Sequence, residues 1–434
     1  VELTPGLVSS LSLCHCVMAE FTLPAAQDEE RTRFGRALKD KYFLLDSEYC
    51  NLNHGSYGTV PRPVFQRQHD FLKEQEARPD PWFRKNYFKY VELARESLAT
   101  LVGTHVENLV LVENASCGVT SVLRSLGLQR GDKVLRLSTA YGQVCELLHW
   151  LSQTTGIEIV VVDVEFPVAG PEQVLSAVDR ALKEAAEEGG GVKLSIFSHI
   201  TSMPAVVLPI EDLTRAAKTE GSLVLVDGAH SPGQSLLQVD RIGADFFVGN
   251  CHKWLFAPKG SAFLAVAPSQ QLANSPVPAV ISGSGDRDFV GRFSYTGTRD
   301  YTPLACIPAA VEFRDLLGGE ERVISYCHAL AVRVGEYLAR AWGTRVLVPA
   351  DMTGFMVNVE LPTRSLEAAA YMRNKLEVDY NIYIVYDKLL LTSAPPSRYL
   401  LHTRLSAQVY LELEDFTPLG ELVPMLLASY SDIS

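Results

Sequence analysis

Residues 223–253 read LVLVDGAHSPGQSLLQVDRIGADFFVGNCHK. Two short apolar runs, LVLV and FFV, are continuous rather than alternating. That pattern marks strands buried on both faces. Polar residues follow each run: Asp227 closes the first, and His252 and Lys253 follow the second. In a parallel sheet covered by helices, ligands bind outside the carboxyl ends of the strands. Asp227 and Lys253 are therefore placed where chemistry is expected.

The same grammar extends in both directions. LVLVEN (109–114), DKVLRLS (132–138), EIVVVDV (158–164), LSIFSHI (194–200) and SAFLAVA (261–267) read as strands. Between them run helical patterns, GVTSVLRSLGL, CELLHWLSQ and PEQVLSAVDRALKEAAEEGGG, the last with Pro at its start and Gly at its end. The alternation predicts an α/β fold with a mostly parallel sheet. Residues 275–303 are rich in Gly, Ser, Pro and Thr and read as a domain transition. Beyond them, ERVISYCHALAVRVGEYLARAW is a long amphipathic helix, and FMVNVEL, NIYIVYD and RYLLHTRLSAQVYLEL read as strands of a smaller sheet. The expected organisation is a tail over 1–40, a large domain over 41–303 and a small α/β domain over 304–434. The early segment YCNLNHGSYG is expected to join the two domains.

Composition narrows the function classes. The 434 residues are 47% hydrophobic and 21% charged, with a formal net charge of −12. A net negative chain without a basic run repels phosphate backbones, so a nucleic-acid partner is not expected. No uncharged apolar stretch of about 20 residues occurs, and no membrane span is expected. The eight cysteines are scattered rather than framed, which fits a reducing, cytoplasmic compartment. Cys14-His15-Cys16 lacks a second ligand pair at finger spacing, so no metal is expected there. Met18-Ala19-Glu20 resembles a natural start, and residues before about Glu20 are expected to lie outside the fold.

An amine condenses with a carbonyl only when it is not held as a solvated ammonium. Lys253, past a buried strand and flanked by His252 and Trp254, meets that condition better than Lys259 in its Pro-Lys-Gly turn. Taken alone, Lys253 reads first as a surface charge, as most lysines are. Asp227 alters the balance, because a buried acid can pair with a protonated pyridine nitrogen. As an isolated residue it serves as well as a turn or cap. Ala115 and Ser116, in ENASCGVTSV, open a helix whose amides and hydroxyl suit a phosphate, or simply cap the helix. Tyr141 either stacks on a cofactor ring or is a half-buried aromatic. His230, three residues past Asp227, is placed to reach a cofactor's phenolic oxygen. Arg404 sits within a strand-like run and is suited to clamp a carboxylate, or to point to solvent.

Taken in order, NLNHGSYG, ENASCGVTSV, AYG, VDGAH, GNCHKW, YTGTRD and TRLSAQVY resemble the class V aminotransferase-like, fold-type I pyridoxal-phosphate enzymes. The nearest branch is that of isopenicillin N epimerase, cysteine desulfhydrase and hercynylcysteine sulfoxide lyase. The resemblance covers roughly residues 49–410. It implies that Lys253 carries pyridoxal 5'-phosphate, with His252 beside it. It further implies that Asp227 pairs with the ring nitrogen, that Ser116 with the neighbouring amide of Ala115 binds phosphate, and that Tyr141 stacks on the ring. His230 stands where relatives often have Gln. Thr298 is expected to reach the phosphate of a second subunit, which implies a homodimer. Arg404 is expected to bind the substrate carboxylate, with Asn53 and His54 lining the substrate mouth.

The expected activity is α,β-elimination at a C–S bond of cysteine, a cysteine conjugate or a sulfoxide, releasing pyruvate and ammonia. Lys253 would remove the α-proton. Epimerisation is the alternative, with Tyr141 as the acid on the opposite face. An aminotransferase or a non-catalytic binding protein ranks lower. No cysteine follows Cys327, which disfavours a persulfide-forming desulfurase. A nicotinamide dehydrogenase would want a G-x-G-x-x-G that is absent after the first strand.

Overall fold

The computed structural model describes residues 33–281, 288–391 and 399–431. Its strands are β1 (Cys50–Asn51), β2 (Leu109–Val112), β3 (Lys133–Leu137), β4 (Glu158–Val162), β5 (Val192–Ser198), β6 (Leu223–Gly228), β7 (Phe246–Asn250), β8 (Ala262–Val266), β9 (Met356–Glu360), β10 (Ile382–Tyr383), β11 (Val385–Leu390) and β12 (Tyr399–Ser406). Seven of them form one sheet in the order β2-β8-β7-β6-β5-β3-β4. Only β8 runs against its neighbours. The other six therefore end at one edge.

The period of two along each strand explains why this sheet needs helices on both faces. In β7, Phe247 points into one hydrophobic cluster while Phe246 and Val248 point into another. In β6, Val224 and Val226 face the first cluster and Leu225 the second. Helices Ala115–Ser125 and Gly142–Thr155 cover the second face through Val119, Val122 and Leu148. Helices Pro171–Glu187 and Ile210–Thr219 cover the first through Val174, Val178, Leu182 and Leu213. Each fully buried Phe of β7 contributes about 1.5–3 kcal/mol, so Asp227 and Lys253 rest on a rigid strand pair.

The C-terminal part holds an antiparallel sheet, β11-β12-β9, against which helix Glu320–Trp342 packs. β1 pairs in parallel with β10, which brings the early segment beside this part. Helix Ile307–Leu316 packs instead on helices Arg62–Ala77 and Tyr87–Val102. That packing groups Ile307–Leu316 with helices of the large part. At the other end, the chain joins the fold before residue 41: helix Arg36–Tyr42 buries Leu38 completely. Most of the expected tail, with Cys14-His15-Cys16, lies outside the described residues. β12 ends at Ser406, earlier than the alternating pattern suggests, because Ala407 donates to Phe355 and Leu411 turns back onto Gln408.

The segment 52–58 is tied down over the loop that follows β7. Ser406 N–H bonds Leu52 C=O at 2.8 Å, and Gly55 N–H bonds Ser406 Oγ at 3.2 Å. At Gly58, φ is +66°, and a β-carbon would collide with the His252 carbonyl and lie 2.8 Å from that of Lys253. Gly127 has a similar φ of +58° with nothing near it. Gly127→Ala is expected to cost about 1 kcal/mol of strain. Gly58→Ala adds the backbone clash and should cost about 3 kcal/mol or more. Thermal unfolding of the two variants side by side measures the difference.

Candidate active site

Six strand ends at one edge gather the polar residues that interrupt the apolar runs. Lys253 lies three residues past β7. Its Nζ is 3.0 Å from His230 Nε2. Burial lowers its pKa to about 8, with the Arg404 charge adding to that effect and the Asp227 charge opposing it. The sequence ahead of Lys253 is then folded under strain: Phe256 takes φ 69°, and its ring is packed against Phe43, His54 and Phe313. Such a conformation persists only where surroundings over-determine it. Lys259 is exposed.

Asp227 ends β6, beside Ser198 of β5 and Val248 of β7. It is 5% exposed and accepts the Ala229 N–H at 3.0 Å. Burial raises its pKa, while that amide and Lys253 pull the other way. A carboxylate so desolvated gains from a cation brought against it. His230, 2% exposed, lies between Lys253 and Trp254, whose indole N–H reaches His230 Nδ1 at 3.2 Å. His252 gives its Nδ1–H to the Ser261 carbonyl at 3.0 Å, and burial holds its pKa near 4.

The helix that starts at Ala115 is capped by Asn114, whose side chain accepts the Cys117 N–H at 2.9 Å. The Ala115 amide, expected to face phosphate, is instead given to Asn250 Oδ1 at 2.9 Å. The reason is register: Asn250 closes β7 alongside Ala262, and its amide reaches across to the helix start. Ser116 remains as the helix-start donor, its hydroxyl bonded to Gln143 at 2.6 Å.

Arg404 lies on β12, buried and aimed toward the segment 53–56. Its Nη2 donates to Asn53 Oδ1 at 2.5 Å and to Ser56 Oγ at 3.0 Å, while Nη1 donates to Ser202 C=O at 2.9 Å. Burial lowers its pKa to about 10, so the guanidinium stays charged near neutrality. Tyr141, 41% exposed just before the helix Gly142–Thr155, favours that charge and so lies on the same side. Asn53 thus positions the arginine. His54, expected at the substrate mouth, is fully buried. Its Nδ1 meets Tyr410 Oη at 3.0 Å and its Nε2 the Lys253 carbonyl at 2.9 Å. Its place in the fold is to hold the backbone under Lys253. Thr298 is exposed, bonded to Tyr295 Oη at 2.7 Å, on a loop joined to the end of β2 by the Arg299–Glu113 ion pair.

Sequence reading missed several supports. Arg314, 1% exposed, donates to the carbonyls of Trp254 and Gly233, both at 2.9 Å, and pairs with Glu320. It ties the loop after β6 to the loop after β7. Ser56, Asn250 and Tyr410 act over still longer sequence distances, on Arg404, Ala115 and His54. A polar residue closing an apolar run was a usable signal for Asn250; the others carried none.

The donor set fits pyridoxal phosphate. A poised amine, a buried acid and a helix start with a hydroxyl suit its aldehyde, ring nitrogen and phosphate. Thr139 Oγ1, His199 Nδ1 and Arg404 Nε are buried and have no hydrogen-bond partner among the described residues. Among the described residues no group of His, Cys, Asp or Glu could hold a metal, and no helix is long and apolar enough to cross a membrane.

Residues 55–360 match the family described as Aminotransferase class-V. The L-cysteine desulfhydrase-like protein lolT1 of Epichloe uncinata is 33% identical, over 92% of this chain and 97% of its own. The hercynylcysteine sulfoxide lyase of Schizosaccharomyces pombe is 26% identical, over 91% and 98%. Among solved structures, the cysteine desulfurase of Thermococcus onnurineus superposes with a TM-score of 0.73 at 19% identity, covering 92% of this chain and 99% of that one. At that identity the likeness speaks to the fold.

Proposed function

The chain belongs to the aminotransferase class-V family, and we propose that within it this protein is a pyridoxal-phosphate-dependent lyase that breaks the C–S bond of cysteine or of a cysteine conjugate or sulfoxide. The observation that carries the reading is a half-buried lysine of lowered pKa and a buried aspartate at the same edge of one sheet. When bound, pyridoxal phosphate supplies an electron sink for negative charge developing at the substrate α-carbon. Lys253 would hold its aldehyde carbon. Asp227 would keep the proton on its ring nitrogen. Ser116 would hold its phosphate at the helix start. Arg404 would receive the substrate carboxylate, and Lys253 Nζ would take up the α-proton.

Two features favour elimination. The relatives just described carry lyase or desulfhydrase names, and the last cysteine of the chain, Cys327, is fully buried with its Sγ turned to Gln408. A persulfide-carrying thiol is therefore not provided there. Epimerisation needs a second acid, and Tyr141 on the Arg404 side is the residue that keeps this reading open. We place the enzyme in the cytoplasm on the free state of all six described cysteines. A homodimer, with Thr298 contributing across the interface, is part of the proposal, and light scattering tests it.

Supplied with cysteine, an S-substituted cysteine or its sulfoxide, the holoenzyme is expected to release pyruvate and ammonia together with the sulfur fragment. Racemised amino acid without pyruvate would overturn the lyase reading. The Lys253 shift adds a pH expectation. Below pH 8 the amine is mostly protonated and unable to attack an aldehyde; above it the neutral form dominates. Capture of pyridoxal phosphate by the cofactor-free chain should rise through a midpoint at about pH 8 and level off above it. At pH 7 roughly a tenth of the amine is then reactive, against well under a thousandth for an ordinary lysine.

A further inference from the structure

Trp254 follows Lys253 directly and is fully buried. An indole N–H only donates, and its acceptor is His230 Nδ1, 3.2 Å away. A neutral imidazole that accepts at Nδ1 carries its proton on Nε2. Burial and the neighbouring Lys253, Arg404 and His252 keep the His230 ring neutral. Its Nε2 lies 3.0 Å from Lys253 Nζ. An Nε2–H only donates and an ammonium only donates, so this contact is a hydrogen bond only when the amine is unprotonated.

We propose that Trp254 is a positioning residue: its indole N–H fixes the tautomer of His230, which then presents Nε2–H to Lys253 Nζ and holds that amine in its neutral form. The groups around the amine show why such a device is needed. Asp227, from β6, favours the ammonium; Arg404, from β12, disfavours it. His252, on the same loop, is turned to Ser261. Without a fixed tautomer, His230 could move its proton to Nδ1 and accept from the ammonium, siding with Asp227. The backbone beneath is held in the same manner. His54 Nε2 faces the Lys253 carbonyl, an acceptor only, so Nε2 carries the proton and Nδ1 accepts from Tyr410 O–H.

The inference rests on the reading of Lys253 as the cofactor's anchor. Trp254→Phe removes the donor and keeps most of the ring. In the full-length cofactor-free chain, the pH midpoint for capture of pyridoxal phosphate, read by visible absorbance, is expected to rise by about one unit. Capture at pH 7 would then be about tenfold slower. A variant that folds as the parent does by circular dichroism, with its midpoint unchanged, overturns the relay. A second measurement uses the unaltered sequence. Long-range proton–nitrogen spectra of chain labelled with 15N-histidine, assigned through His230→Gln, are expected to show the His230 proton on Nε2. A proton on Nδ1 overturns the proposal even if Trp254→Phe does not fold. Failure to capture pyridoxal phosphate at any pH would remove the functional reading, and the tautomer would still decide the relay.

Discussion

Lys253→Ala is expected to give a folded protein that shows no borohydride-sensitive visible absorbance and turns over cysteine at least about a thousandfold more slowly. Two roles fail together. The side chain is the proposed covalent anchor, and its Nζ is the proposed acceptor of the α-proton; proton transfer alone contributes about 10²–10⁴ in rate. Folding should survive, because the ammonium form of this group is disfavoured by burial and its removal relieves that penalty. The loss leaves His230 Nε2–H without Nζ, which costs about 1–3 kcal/mol. Lys253→Arg separates charge from chemistry. A guanidinium keeps the positive charge and cannot lose its proton, so it should be as inactive as alanine. Activity retained in the arginine variant would mean that Lys253 supplies only charge, and the proposed mechanism would fall.

The large sheet was readable because six of its strands are short and run one way, and its central strands β5, β6 and β7 are buried on both faces, which leaves apolar runs. The same burial made Asp227 and Lys253 stand out, each just past such a run. β12 was harder. Its alternation continues past Ser406, and only backbone bonds from Phe355 and Gln408, far away or turned back, end the strand. Helices Arg62–Ala77 and Tyr87–Val102 were not foreseen. They are linked through a π-helical turn, Trp82–Asn86, and their apolar positions are set by contacts with Ile307–Leu316. His54 was placed at the substrate mouth by resemblance, and nothing in its local sequence indicates its burial. Its actual environment, the rings of Trp254, Phe256 and Tyr410, arrives from about 200 and 350 residues away. Ala115 was misassigned because nothing local indicates that Asn250 will take its amide.

Arg404→Lys should reduce kcat/KM for cysteine by about 30- to 1000-fold while leaving the lysine-bound cofactor's absorbance in place. The wild-type guanidinium is held by four acceptor atoms: Asn53 Oδ1, Ser56 Oγ, Ser202 Oγ and the Ser202 carbonyl. The arginine's Nε–H has no partner among the described residues, whereas lysine keeps the charge with three donors and no planar fork, so it cannot satisfy those acceptors and also meet a carboxylate. Charge-assisted hydrogen bonds contribute about 1.5–3 kcal/mol each, and a net loss of about 2–4 kcal/mol corresponds to that range. Cysteamine separates recognition from damage, since it carries the amine and thiol without the carboxylate. If Arg404 reads the carboxylate, the substitution weakens cysteine binding strongly and cysteamine binding little, and the preference for cysteine collapses. If instead Arg404 only braces the segment 53–56 against Ser202, both compounds lose equally and the melting temperature falls with them. Equal losses would therefore reassign Arg404 from the substrate to the scaffold.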